Sequence, residues 1–133
     1  MVGEVNSGTA ILAVAVASLT GEIAAARRDF PAAVRALEDA VRREDALRYM
    51  EPPPWYMPTR QVLGEVLLRA GRGADAERVY REDLRRNPEN GWSLFGLGMA
   101  LDAQGKRADA GQLRQRLATA WRYADIGLNG SRF

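Results

Sequence analysis

From Pro58 to Ala70 the apolar side chains fall at Val62, Leu63, Val66, Leu67 and Ala70, the three-and-four spacing of one helical face. Gly71-Arg72-Gly73 interrupts the rhythm, as glycine does just past a helix end. A second helix is predicted from Ala74 to Arg86, with Ala76, Val79, Tyr80 and Leu84 inward, and Asn87-Pro88 stops it. The pattern then returns thirty-four residues on. Leu63 comes back as Leu97, Gly64 as Gly98, Leu67 as Leu101, Gly71 as Gly105, Asp75 as Asp109 and Ala76 as Ala110. A fixed period of this length is the mark of stacked helix pairs, each too small to bury its apolar face alone.

The rest of the chain is read against that unit. An apolar run from Ala10 to Leu19, broken only by Ser18, predicts a first helix with Ser7 or Thr9 as its N-cap. Ten such residues are too short to span a bilayer, and no Lys or Arg precedes them as a secretory signal needs. This helix is apolar nearly all round until Glu22, so its own pair can cover only one stripe of it. The remainder expects a second copy or further repeats, through Ile11, Leu12, Val14, Val16 and Leu19. The next helix expects Asp29 as its N-cap, Pro31 at the first helical position, and Val34, Leu37 and Val41 on its apolar face. Aligning Gly21 with Gly64 gives an offset of forty-three, so an insert separates the first two units.

That insert, residues 48–56, holds three prolines in a row with Tyr49, Met50, Glu51, Trp55 and Tyr56 around them. Consecutive prolines favour an extended polyproline segment that needs packing to stay ordered. It reads either as a spacer covering the seam between units or as a stiff loop presenting Glu51, Trp55 and Tyr56 to a partner, and Arg60 is placed to pair with Glu51 in both cases. After Pro88, Asn90 is the natural N-cap of a richly apolar helix carrying Trp92, Leu94, Phe95, Leu97, Met99 and Leu101. A last helix is expected from about Arg107 to Ala124, with a frayed tail behind it. Gly64 and Gly98 stand inside helices, where glycine costs roughly 1 kcal/mol against alanine. Their recurrence predicts a close approach of the paired helix, met by the small Ala76 and Ala110.

The spacing Leu63-Gly64, Leu67, Gly71, Ala76, Tyr80, Pro88 resembles the tetratricopeptide repeat, a helix–turn–helix unit, and Leu97-Gly98, Leu101, Gly105 and Ala110 repeat it. Arg114 departs from the pattern where a large apolar residue is usual, and Asp83 stands where a small one is. The segment from Glu51 onward also resembles the C-terminal repeats of longer bacterial tetratricopeptide proteins. The resemblance implies an all-α, right-handed α-solenoid in a single domain over 1–133. Repeat one spans about 9–47, the insert 48–56, repeat two about 57–90, repeat three about 91–125 and the tail 126–133. It also implies a cytoplasmic, non-enzymatic scaffold whose first helices line a concave groove for a protein or peptide. Carried over by position, that groove takes Ser18 and Glu22, then Gln61, Glu65 and Arg69, then Trp92, Phe95, Met99 and Asp102. One end is acidic and polar and the other aromatic, which suits an amphipathic helix or extended peptide with a basic end. Phe95 and Met99 read equally as core. The alternative use is a homodimer closed through the first helix.

Composition narrows the chemistry. The chain has no cysteine and no histidine, which excludes disulfides, ordinary zinc or haem ligation, and any histidine base. No cofactor or metal is expected. The net charge is only +2 and Lys106 is the one lysine among nineteen basic residues, with signs alternating along the helices. This reads as solvated helix faces rather than a nucleic-acid or membrane surface. Gly71-Arg72-Gly73-Ala74-Asp75-Ala76 matches a dinucleotide fingerprint in letters, but the fingerprint needs a strand before it and a helix is predicted there. The carboxylate pairs Glu38-Asp39, Glu44-Asp45 and Glu82-Asp83 diverge by about 100° on a helix, so they are expected to pair with nearby arginines rather than form an acid–base site.

Overall fold

A computed structural model describes residues 8–47, 58–88 and 90–120. Among the described residues every regular element is a helix: α1 (Gly8–Ala26), α2 (Phe30–Asp45), α3 (Thr59–Arg69), α4 (Gly73–Arg86), α5 (Gly91–Ala103) and α6 (Arg107–Ala120). The all-α expectation holds. The chain forms two compact units, Met1–Thr59 and Arg60–Phe133. In the first, α1 packs on α2; in the second, α4 packs on α5 and α5 on α6.

Three turns between paired helices share one hydrogen-bond design. Arg28 N–H donates to the Ala25 carbonyl while Asp29 N–H reaches back to Ala24. Gly71 and Arg72 do the same to Leu68 and Leu67, and Gly105 and Lys106 to Asp102 and Leu101. The pivot of each turn is left-handed, with φ +62° at Arg28, +75° at Gly71 and +76° at Gly105. Glycine adopts that conformation without steric cost, so Arg28 is the strained member of the set. Its guanidinium lies 5.7 Å from the centre of the Phe30 ring.

The helix starts follow their caps. Asp29 Oδ1 accepts from Ala32 N–H at 3.3 Å and Asn90 Oδ1 from Trp92 N–H at 3.1 Å. Four details differ from expectation. Phe30 takes the first helical position and Pro31 the second. Pro58 stands just outside α3. Thr9 lies inside α1 rather than capping it, while Ser7 falls outside the described residues. The first helix also runs to nineteen residues, long and apolar enough by length and composition to cross a membrane, so the argument from a ten-residue run does not hold. Its buried stripe of Val14, Ala17, Ser18, Gly21 and Ala25 belongs to the protein interior.

The core of the second unit is organised by one ring. Tyr80 is fully buried, and a Cβ added at either Gly64 on α3 or Gly96 on α5 would collide with it. The close approach expected at Gly64 is therefore real, but a tyrosine makes it rather than Ala76. Gly98 does not share it, since a Cβ there would meet nothing within 4 Å. The reason lies sixteen residues on, where Gly64 has Tyr80 and Gly98 has Arg114, whose guanidinium turns away to Asp102. Gly21 keeps the expected relation, with Leu37 of α2 filling the place of Tyr80.

Asp83 also departs from expectation. It is buried and pairs with hydroxyl and amide groups rather than an arginine, accepting from Ser93 Oγ and from Asn90 Nδ2, the latter at 3.2 Å. This ties α4 to the start of α5. Two of the other carboxylates pair with arginines as predicted, while Glu44 accepts from the Thr59 N–H at 3.3 Å. Asp39 pairs with Arg42 and Arg43, and Glu82 with Arg85 and Arg86.

Candidate functional site

Two apolar surfaces stand open. The first lies between α5 and α6. Leu94, Phe95, Gly98, Met99 and Asp102 line it from α5, and Leu113, Arg114 and Leu117 from α6, around a cavity of about 260 Å³. Its origin is the exchange just described. Where the preceding pair has a tyrosine ring over its glycine, this pair has an arginine bonded to Asp102, and among the described residues nothing comes within 4 Å of a Cβ built at Gly98. The floor is apolar, Met99 is 40% exposed at the rim, and the Asp102–Arg114 pair supplies one polar edge. An aliphatic side chain of a partner helix fits such a slot, with the ion pair fixing its approach.

The second surface is the outer face of α1. Leu12, Val16 and Leu19 are 64%, 63% and 59% exposed, and Ile23 is 45% exposed. Their spacing of four, three and four places them on one stripe, the seam spacing of paired helices. A shallower groove of about 480 Å³ runs beside it, with Leu12, Ala13 and Val16 on one wall and Ala36, Asp39 and Arg43 on the other. Contiguous apolar surface of this kind marks a contact site.

The sequence-derived candidates divide accordingly. Phe95, Met99 and Asp102 are brought together in the α5/α6 groove, while Trp92 is half-buried and outside its lining. Glu22 and Glu65 are half-buried, and Arg69 is exposed. Ser18 and Gln61 are 3% and 6% exposed, so as groove contacts they are corrected: their side chains are taken up by the fold. Arg60 is likewise buried, and its supposed partner Glu51, with Trp55 and Tyr56, lies outside the described residues. On α1, Leu12, Val16 and Leu19 are available, Ile11 is half-buried, and Val14 is fully buried and therefore not a self-association residue. Ile23 was missed, although its place four residues beyond Leu19 signalled it. Leu113 and Leu117 were missed as groove walls because their spacing reads as an inner stripe.

Polar chemistry near these surfaces is structural. Glu77 Oε2 accepts from Gln104 Nε2 at 2.7 Å and from Lys106 Nζ at 3.0 Å, while Arg81 bonds its other oxygen. These bonds, the one from Gln104 foremost, hold the carboxyl down to about 2. The same carboxylate fastens α4 to the turn after α5. No group of three or more acidic residues able to hold a metal ion occurs among the described residues. The Gly71–Ala76 stretch joins two helices, so the dinucleotide reading lacks its strand. Compared with family models, curated proteins and solved structures, the chain matches none of them.

Proposed function

We propose that this chain is a non-enzymatic protein–protein contact module, built as a tetratricopeptide-like α-solenoid, that takes an apolar helix of a partner into the α5/α6 groove. The observation that carries the reading is the cavity of about 260 Å³ beside Gly98, where no described residue takes the place that Tyr80 takes over Gly64. A helix offering a leucine or isoleucine to that space buries apolar surface at about 25 cal/mol per Å². A basic group beside that side chain meets Asp102 at the edge. An array of labelled amphipathic helical peptides, read by fluorescence anisotropy, tests it. Met99→Glu, at an exposed rim position, is expected to weaken the best peptide at least tenfold while the circular dichroism spectrum is unchanged. Binding that is indifferent to Met99→Glu overturns the groove as the site.

A second reading is self-association through α1, favoured by its exposed stripe of Leu12, Val16, Leu19 and Ile23. A surface of this length without a charged residue on it is poorly matched to water. Spanning a membrane would require α1 to leave α2 and expose Ala33, Val34, Leu37 and Ala40, all buried in the pair. Lying on a membrane favours Lys and Arg on the polar face of the helix; α1 itself contains neither, and Arg27 and Arg28 follow its end.

A further inference from the structure

The joint between successive helix pairs inside the second unit shows which faces of the helices are made for stacking. There α4 is received by α5. Tyr80 lies against Gly96, Asp83 binds Ser93, and Gly73 comes within contact range of Ala103 and the Ala100 carbonyl. The receiving face of a first helix is thus the set Ser93, Gly96 and Ala100, all buried. Carried back by the seventy-seven residues that separate Gly98 from Gly21, this set becomes Val16, Leu19 and Ile23. Those are three of the four large apolar residues exposed on α1, Leu12 being the fourth. The α1 stripe therefore has the register of a stacking face, and no helix among the described residues occupies it.

The offering face can be located in the same way. Gly73, Glu77, Tyr80 and Asp83 of α4, which make the contacts with α5, become Arg107, Gly111, Arg114 and Leu117 of α6 when carried forward by thirty-four residues. Here bulk has changed sides. At the inner joint a large residue on the second helix, Tyr80, enters the space over a small one on the first, Gly96. On α1 the place of Gly96 is taken by the large Leu19. On α6 the place of Tyr80 is taken by Arg114, which bonds Asp102, and among the described residues nothing comes within 4 Å of a Cβ built at Gly111 or Gly98. Large on α1 meets small on α5/α6, the reverse of the inner joint and equally complementary.

From this register we infer that the helix filling the α5/α6 groove is α1 of a second copy, with Leu19 entering the slot over Gly98 and Val16 and Ile23 beside it. The inference rests on the groove reading above and names its occupant. The contact joins two different faces, so it is heterologous, and copies add head to tail in a ring or an open row rather than closing as a twofold dimer.

The test uses the full chain and measures mass by light scattering across a concentration series. Wild type is expected to grow in mass with concentration. Leu19→Glu blocks the α1 face, and Gly111→Glu blocks the α6 face at a position whose Cβ meets nothing within 4 Å. Each variant alone is expected to stay monomeric, and an equimolar mixture to form a 1:1 dimer through the one intact pair of faces. Val16→Glu is a second head variant, at a residue 63% exposed, and is expected to behave like Leu19→Glu. A Gly111→Glu protein that still dimerises alone overturns the inference in favour of a symmetric α1 contact. A wild type that stays monomeric, or binds only anionic phospholipid vesicles, overturns it too. If copies do not associate but groove peptides still bind in a Met99-dependent way, stacking fails and the groove reading stands.

Discussion

Tyr80 shows how a single residue decides what a glycine is worth. Its ring lies over Gly64 and Gly96, so alanine at Gly64 forces the ring or the helix to move. Overpacking of this kind costs about 1–3 kcal/mol. Alanine at Gly98 meets open space and gains helix propensity instead, by up to about 1 kcal/mol. Urea unfolding should therefore move in opposite directions for Gly64→Ala and Gly98→Ala, although the two hold the same place thirty-four residues apart in successive repeats. Equal shifts in the same direction would refute the account. The misreading of Gly98 in the sequence has a physical reason. A helix glycine is informative only together with the side chain that lies on it, and that residue changed from Tyr80 to Arg114 while the glycine stayed. Arg114 was visible as a departure from the pattern. That it leaves a groove over Gly98 depends on its turning to Asp102, which letters do not show.

At the scale of the element, the helices were legible and their partners less so. Period and caps located α2, α4 and α5 closely, because Asp29, Gly71-Arg72-Gly73 and Asn90 act through their own backbone neighbours. Burial on α1 was not legible. Its apolar residues surround the helix, so hydrophobicity alone could not separate Val14, fully buried, from Val16, 63% exposed. The turn after α1 carries a prediction of its own. Arg28 holds φ +62° where its counterparts are glycines at +75° and +76°. The left-handed conformation costs a non-glycine residue about 1–2 kcal/mol, offset in part by the greater unfolded entropy of glycine and by the contact with Phe30. Arg28→Gly is expected to stabilise the chain by about 0.5–1 kcal/mol, seen as a higher thermal midpoint. A lower midpoint would mean that the Phe30 contact outweighs the strain.

Among the described residues most ion pairs join residues three or four apart on exposed helix faces, and such pairs contribute little to stability. Glu77 is different. It is largely covered, and its partners Gln104 and Lys106 lie twenty-seven and twenty-nine residues away, so these two bonds, unlike the one from Arg81 within α4, exist only when α4 and α5 are docked. Its folded-state value of about 2 lies below the ordinary 4.5. The folded protein therefore binds this proton less tightly than the unfolded chain. The stabilisation is complete above about pH 4.5 and is lost as the pH falls towards 2. Gln104→Ala removes the largest cause of the depression. It is expected to cost about 1.5 kcal/mol at neutral pH, the low end for a hydrogen bond to a charged group. It should also flatten the decline of the unfolding midpoint between pH 4.5 and 2, because less stabilisation remains to be lost. Glu82 is held to about 2 by Arg85 and Arg86, but this group is fully solvated and its arginines are its helix neighbours. Replacing it by glutamine should leave the acid limb steep. Acid sensitivity then separates the carboxylate that joins two helix pairs from one that decorates a surface, and parallel acid limbs for Gln104→Ala and wild type would show that the Glu77 tie contributes nothing to the fold.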